Sequence, residues 1–427
     1  MLRPSLHPSP TQRAVGRNLA LDLVAAVGVG VSMALVTSLL PTIARRGGLE
    51  PMGLAALAAA PFIANLLSAF AGRFGPRSTN QLALIRCAGA ASLVALLVVP
   101  TAPVMIGMSI IFWISLSFGS PFHLRLWGAM YPARLRGRIV GVIGTGRAAA
   151  GALAALAGGL VADQLGGPTA VAIAGVVGAV CAIGYAGFHA RAAERPPMFS
   201  ARDSIRALRD RPVLSKVALA QGFYGGGLIA ALPLYALVYV DRLDLSLADV
   251  GVIGILTAAS TTVSFMAWGV VSDRFGALVA MRSGSAMGLV ALVAVAFAPG
   301  VVVLWVAALA AGAASASIDV GIAAVVSDHT PLASRAAAMA GWNAITGARG
   351  IAAAFLMSAL LQAGIVDVTV GLLLCAVATG IGVVLYGRAS TAVVVPAATV
   401  DASAGAPATL APAPALRTAS GRSSVVP

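Results

Sequence analysis

A few side chains able to do chemistry stand inside long apolar runs of this sequence. Arg147 lies in GTGRAAAG, Arg349 in TGARGIAA, Asp319 in SASIDVGIAA, and His123 with Arg125 in SPFHLRLWGAMYP. A guanidinium stays charged and presents a planar fork of donors, so Arg147, Arg349 and Arg125 are expected to hold an anionic or polar group of a substrate. A carboxylate can carry a proton and an imidazole titrates near neutral pH, which makes Asp319 first and His123 second the expected proton-coupling residues. Gln221 and Tyr224, followed by GGG at residues 225–227 where a helix can bend or unwind near a site, and Asn343 beside Trp342 add uncharged hydrogen-bonding groups, for a substrate or equally for bonds between helices. Other chemistry is excluded by what is missing. The four histidines are scattered, no cluster has catalytic or metal-ligand spacing, and there is no G-x-x-x-x-G-K-[ST] phosphate loop, so neither an enzyme, a bound cofactor or metal, nor an ATP-driven pump is expected. Cys87, Cys181 and Cys375 fall singly in separate apolar runs and read as small buried hydrophobes.

The elements that must position these groups follow from composition. Of 427 residues, 59% are hydrophobic and 10% charged, against roughly 25% charged in a soluble domain, and the mean hydropathy is +0.95. Crossing a bilayer takes about 20 mainly apolar residues per helix. Splitting the chain at its polar breaks predicts twelve such spans, over residues 18–40, 51–72, 81–99, 103–122, 138–160, 169–189, 214–240, 247–271, 281–298, 301–326, 336–361 and 366–387. The alternation of polar and apolar residues that a membrane barrel requires is absent. The first run is too long for the core of a signal peptide and reads as a retained helix.

The net charge of +14 reflects topology rather than nucleic-acid binding, because the basic residues sit in short segments between apolar runs. Arg13, Arg17, Arg73, Arg77, Arg134, Arg136, Arg138, Arg274, Arg282, Arg335 and Arg388 fall on one side together with the segment 191–216, while Arg45, Arg46 and Arg242 fall on the other. The positive-inside rule then places both termini in the cytoplasm, for a multi-pass protein of the cell membrane. The longest internal polar stretch divides the chain into an N-terminal tail (1–17), a first six-helix bundle (18–190), a central loop (191–213), a second bundle (214–388) and a disordered tail (389–427). In the loop, Ser200 and Asp203 have capping-box-like spacing and Ile205 shares a face with Leu208, which fits a short amphipathic helix as well as a solvated linker.

Short repeats relate the two halves. GRFGPR at 72–77 after the second span is answered by SDRFGAL at 272–278 after the eighth, and Arg147 in the fifth span by Arg349 in the eleventh. YPARLRGR at 131–138 likewise finds TPLASRAA at 330–337. With these features the chain resembles the major facilitator superfamily of secondary transporters over about residues 18–388. The loop signature of that family reads roughly G-x-x-x-D-R-x-G-R-R. Gly269, Asp273, Arg274 and Gly276 match it in the second half, whereas the first copy keeps Arg73, Gly75 and Arg77 but has Gly72 where the aspartate belongs.

The resemblance implies an all-α membrane fold of twelve transmembrane helices in two pseudo-symmetric six-helix bundles. It implies a central cavity lined by spans 1, 4, 7 and 10 with 2, 5, 8 and 11, and a cytoplasmic gate at Asp273, Arg274, Gly276, Arg73 and Arg77. Every deep charge falls on one of those cavity spans. At about 1.5 Å per residue, Arg147 and Arg349 are expected some 15 Å from their cytoplasmic helix ends. The leading expectation is a secondary transporter that moves a small organic solute by alternating access, coupled to protons, acting as a monomer in the bilayer. Three deep arginines against one aspartate favour an anionic or polar solute. A drug/proton antiporter is the alternative, but the antiporter pattern ending G-P-x-x-G-G is here AALAGG at 154–159; a membrane-embedded enzyme is a third. Structural roles stay open as well: Arg349 could neutralise Asp319, Arg125 could snorkel to the interface, and His123 could simply pack.

Overall fold

In the computed structural model of the chain, residues 12–68, 75–189 and 201–391 are described. Gly72, Arg73, the whole segment 190–200, with Ser200 of the expected capping pair, and the tail beyond Thr391 lie outside them. Among the described residues, eleven helices are long and apolar enough to cross a membrane, and Pro51–Leu67 is a shorter apolar helix. The first, α1, runs as Gln12–Ala34, a π-helical turn at Leu35–Leu39 and Leu40–Arg46. The wide turn falls just before Pro41, whose ring has no N–H to donate back along the helix. Next come α2 (Pro51–Leu67), α3 (Thr79–Ala91, continued by a 3₁₀ stretch Ser92–Leu97), α4 (Ala102–Met130), α5 (Ala133–Leu165) and α6 (Gly167–Ala182). The short α7 (Ala201–Arg209) precedes α8 (Pro212–Leu237), α9 (Leu247–Phe275), α10 (Ala277–Ala296), α11 (Val301–His329), α12 (Leu332–Gln362) and α13 (Val368–Thr391).

Several helices extend past their predicted ends, α1 by six residues at each end. α4 continues to Met130, and α5 and α12 start at Ala133 and Leu332, directly after Pro132 and Pro331. Proline suits a helix entrance, where its missing donor is not needed. The repeated motif then closes the preceding helix. Arg136 Nη2 donates to the Gly128 and Tyr131 carbonyls at 3.0 and 3.2 Å. Its counterpart Arg335 donates to the Ser327 and Thr330 carbonyls at 2.7 and 3.0 Å. In both halves an arginine thus satisfies the carbonyls that a helix leaves open at its C-terminus.

The helices form two bundles of the same design. α1 packs on α5 and α6, α2 and α3 on α4, and α3 on α6; correspondingly α8 packs on α12 and α13, α9 and α10 on α11, and α10 on α13. Small residues permit the closest approaches. A Cβ on Gly28 would lie 2.3 Å from the Cβ of Cys181, and one on Gly227 2.4 Å from the Cys375 carbonyl. The GGG of α8 was expected to bend or unwind the helix, yet α8 runs unbroken through it. These glycines instead let neighbours in, Gly225 admitting the Arg349 side chain and Gly227 admitting α13.

The bundles meet mainly along α5 with α9 and α2 with α12, and the meeting is one-sided. Toward the face opposite the basic loops, a Cβ on Gly159 would sit 2.4 Å from the Leu247 carbonyl and one on Gly251 2.5 Å from that of Ala155. Nearer the middle, Gly347 and Gly350 pack on Phe62. Toward the basic face, Gly137, Gly141 and Gly144 of α5 and Gly269 of α9 have nothing among the described residues within 4 Å of a Cβ position. The two bundles are therefore closed on the far face and parted on the basic face. α7 stays with the second bundle: Leu208 is buried in its core, Gly341 of α12 lies under the Ser204 carbonyl, and Arg211 Nη2 donates to Ser334 Oγ at 3.1 Å.

Candidate functional site

Arg147 sits at the centre of α5, about 21 Å along the helix from its basic-face end, further than the expected 15 Å because α5 starts earlier. Its side chain is exposed, although its backbone is packed tightly against Gly30 of α1. Asp319 of α11 is likewise exposed, as is Asn343 of α12. Exposed polar groups at such depth face the open space between the bundles rather than lipid. Neither Arg147 nor Arg349 forms an ion pair with Asp319; the described pairs are elsewhere.

Arg349 of α12 leans onto α8. Its Nη1 donates to the Gln221 carbonyl, and its guanidinium lies where a side chain on Gly225 would be, 2.8 Å from that Cβ position. Its Nε has no hydrogen-bond partner among the described residues. Gln221 and Tyr224 do not line the cavity openly. Both are buried between α8 and α13, where the Tyr386 hydroxyl donates to Gln221 Oε1 and the Tyr224 and Tyr386 rings meet edge to face at 6.2 Å. Of the two, Gln221 meets Arg349, through its backbone carbonyl. Arg125 turns back along α4, its Nε 3.4 Å from the Pro121 carbonyl and its guanidinium carbon 5.3 Å from the centre of the Phe122 ring.

His123 is separate from this group. Its Nε2 lies 3.0 Å from Oδ1 of Asp22, a residue of α1 with no exposure. Oδ2 of the same carboxylate accepts from Trp127 Nε1 at 2.6 Å and from the Tyr131 hydroxyl at 3.1 Å. Tyr131 follows α4, and burial together with the adjacent Asp22 carboxylate pushes its phenol well above the ordinary range, which keeps it a neutral donor. Tyr185 and Phe188 stack around the imidazole. Asp22 carries no obvious signal in the sequence, because its partners come from α4, some hundred residues on.

Of the expected gate residues, Arg73 lies outside the described residues. Asp273 and Arg274 are exposed, with no ion pair or hydrogen bond among the described residues, while Gly276 takes φ +90° to turn from α9 into α10. The Arg77 backbone donates to Gln81 Oε1 at 2.7 Å, capping the start of α3. The engaged groups are on the far face, where sequence reasoning singled out none. Asp163 at the end of α5 accepts from the Leu247 and Ala248 backbone N–H groups at 2.9 and 2.8 Å, holding the N-terminus of α9 in the other bundle. Arg45 forks onto Asp241 at 2.8–3.1 Å, Arg46 donates to the Leu245 carbonyl, and Gln362 Nε2 donates to Glu50 at 2.9 Å. A carboxylate at a helix N-terminus satisfies open donors and opposes the helix dipole. Asp163→Ala removes about 0.5–2 kcal/mol of such capping. It should therefore shift the balance toward far-face opening about 2- to 30-fold, read as longer spin-label distances between the α5 and α9 ends on that face; unchanged distances would show that the cap does not hold the halves.

The sequence matches the profile of the Major Facilitator Superfamily over residues 23–309 and 217–423. No curated protein matches it. Among solved structures, a bacterial homologue of the human lysosomal transporter Spinster, inward-facing and occupied, superposes with TM-score 0.69 at 16% identity, covering 90% of this chain and 98% of its own. The nucleoside transporter NupG gives TM-score 0.68 at 14% identity, covering 89% and 99%. The human organic anion transporter MFSD10 gives 0.61 at 15%, covering 89% and 100%. At these identities the likeness is one of fold.

Proposed function

The chain belongs to the Major Facilitator Superfamily, and from that premise we propose that it carries a small organic solute with an anionic or polar group across the cell membrane by alternating access, coupled to protons. The observation that supports this reading is Arg147: a permanent cation, exposed at mid-helix in the first bundle, while Asp319 and Asn343 are exposed and Arg349 partly exposed on helices of the second. An unpaired charge at that depth is costly unless it meets water or a ligand, so the cavity suits a solute able to accept hydrogen bonds from guanidinium groups. Nucleosides and organic anions are carried by proteins of the same fold, and both chemistries fit such donors.

With the basic face taken as cytoplasmic, the arrangement is inward-open, and the loop at Asp273 and Arg274 is free because it would engage only when that face closes. Rocking of the bundles then breaks the far-face contacts of Asp163, Arg45 and Arg46 as the cytoplasmic ones form. Asp319 is the proton carrier in this scheme. It belongs to one bundle and Arg147 to the other, so its protonation changes the attraction between the halves. A thermal-shift panel of purified protein tests the solute class. Organic anions, nucleosides and other polar solutes should stabilise the fold; stabilisation by lipophilic cations alone would overturn the reading in favour of drug export.

A further inference from the structure

The outer edge of the second bundle carries two cations that the transport cycle described above does not use. Arg282 is the sixth residue of α10 and Arg388 stands three residues before the end of α13, so both lie about 5–8 Å from their helix ends on the basic face. Both are exposed. α10 packs on α11 and α13, α13 packs on α8 and α10, and neither packs on the first bundle, so their exposed sides face lipid rather than the solute cavity. The side-chain pattern agrees. On α13 the exposed residues Val377, Ile381, Val384 and Arg388 follow one another at steps of three and four, which makes one stripe along the helix. The stripe is apolar at the depth of acyl chains and ends on a cation at the depth of headgroups.

The two arginines come together because a side chain is missing. A Cβ on Gly387 would lie 3.3 Å from Arg282 Nε and 3.4 Å from its Cζ, so the Arg282 side chain crosses from α10 and rests on α13 one residue from Arg388. Ser283, the next residue of α10, is exposed as well and adds a hydroxyl donor. Neither helix contains an acidic residue, and no ion pair among the described residues engages Arg282. Neighbouring like charges repel, and an anion shared between them removes the repulsion. A phosphate suits the arrangement, because a guanidinium meets it with a fork of two donors.

We propose that the groove between α10 and α13 at the basic face binds an anionic phospholipid, its phosphate held by Arg282 and Arg388 and an acyl chain lying along Val384, Ile381 and Val377. The apolar stripe that continues from the cations into the membrane argues for a lipid over a free anion. The bound lipid joins the two outer helices of the second bundle whatever the solute is.

The test is native mass spectrometry of purified full-length protein in neutral detergent, titrated with phosphatidylglycerol or with phosphatidylcholine of the same acyl chains. The wild type should bind phosphatidylglycerol the more tightly. Arg282→Gln and Arg388→Gln should each weaken that binding about 5-fold, and the double variant more than either, with phosphatidylcholine unaffected. Arg274→Gln, which removes a cation from the same face outside the groove, should bind as the wild type does. Equal binding of the two lipids, undiminished binding in the double variant or the same loss in Arg274→Gln would overturn the proposal. So would displacement of the lipid by an equal concentration of inorganic phosphate, which would assign the cations to a free anion. Should the double variant fail to fold, the single variants decide by the same criteria.

Discussion

Arg147→Ala should weaken binding of any solute that stabilises the wild type by about 10- to 100-fold, the loss of roughly 1.5–3 kcal/mol expected for a hydrogen bond to a charged group. The variant should nevertheless fold as well as the wild type. Its side chain is exposed, while the tight packing at this point of α5 is made by the backbone against Gly30. The two readouts must therefore separate: affinity falls and melting temperature without solute holds. Calorimetric binding and thermal unfolding of the same preparation check both. Unchanged affinity in a stable variant would show that the cation serves topology or helix packing, and the solute site would have to be sought away from α5.

Asp22→Ala should do the opposite, damaging the fold without a direct effect on the solute. The carboxylate is wholly buried and accepts from Trp127 and Tyr131 while meeting His123. Removing one member of a buried, hydrogen-bonded charged network costs about 3–5 kcal/mol, because the remaining donors are left without water or partner. Asp319→Ala is the matched control. That carboxylate is exposed to the cavity and makes no ion pair, so its loss should cost less than about 1 kcal/mol, as for surface substitutions away from special features. Unfolding of the two variants side by side in the same detergent would expose the contrast. Equal stability of Asp22→Ala and the wild type would mean that the network is not a structural brace of α1 and α4.

The sequence made the spans visible because the bilayer imposes one rule on all of them: a run of apolar residues long enough to cross it. It also made the pairing of halves visible, since Arg147 with Arg349 and Arg136 with Arg335 recur at corresponding helices. The deep charges were identifiable as functional candidates for the same energetic reason. Their partners were not. Whether Gln221 faces the cavity or α13 depends on a rotation of α8 that an almost uniformly apolar helix does not encode. The capping of α9 by Asp163 joins residues 84 positions apart across two bundles, and only the docked halves bring them together. The Asp22 network likewise joins residues a hundred positions apart, here α1 and α4 within one bundle. GGG in α8 was misleading because glycine serves both bending and close approach, and here the approach of Arg349 and α13 explains it.

The most direct measurement is solute accumulation by protein reconstituted into liposomes under an imposed pH gradient. Accumulation of an organic anion or another polar solute, dependent on the gradient, abolished in Arg147→Ala and uncoupled from the gradient in Asp319→Asn, is the predicted result. Transport confined to lipophilic cations, or transport of the polar solute undiminished in Arg147→Ala, would contradict the account.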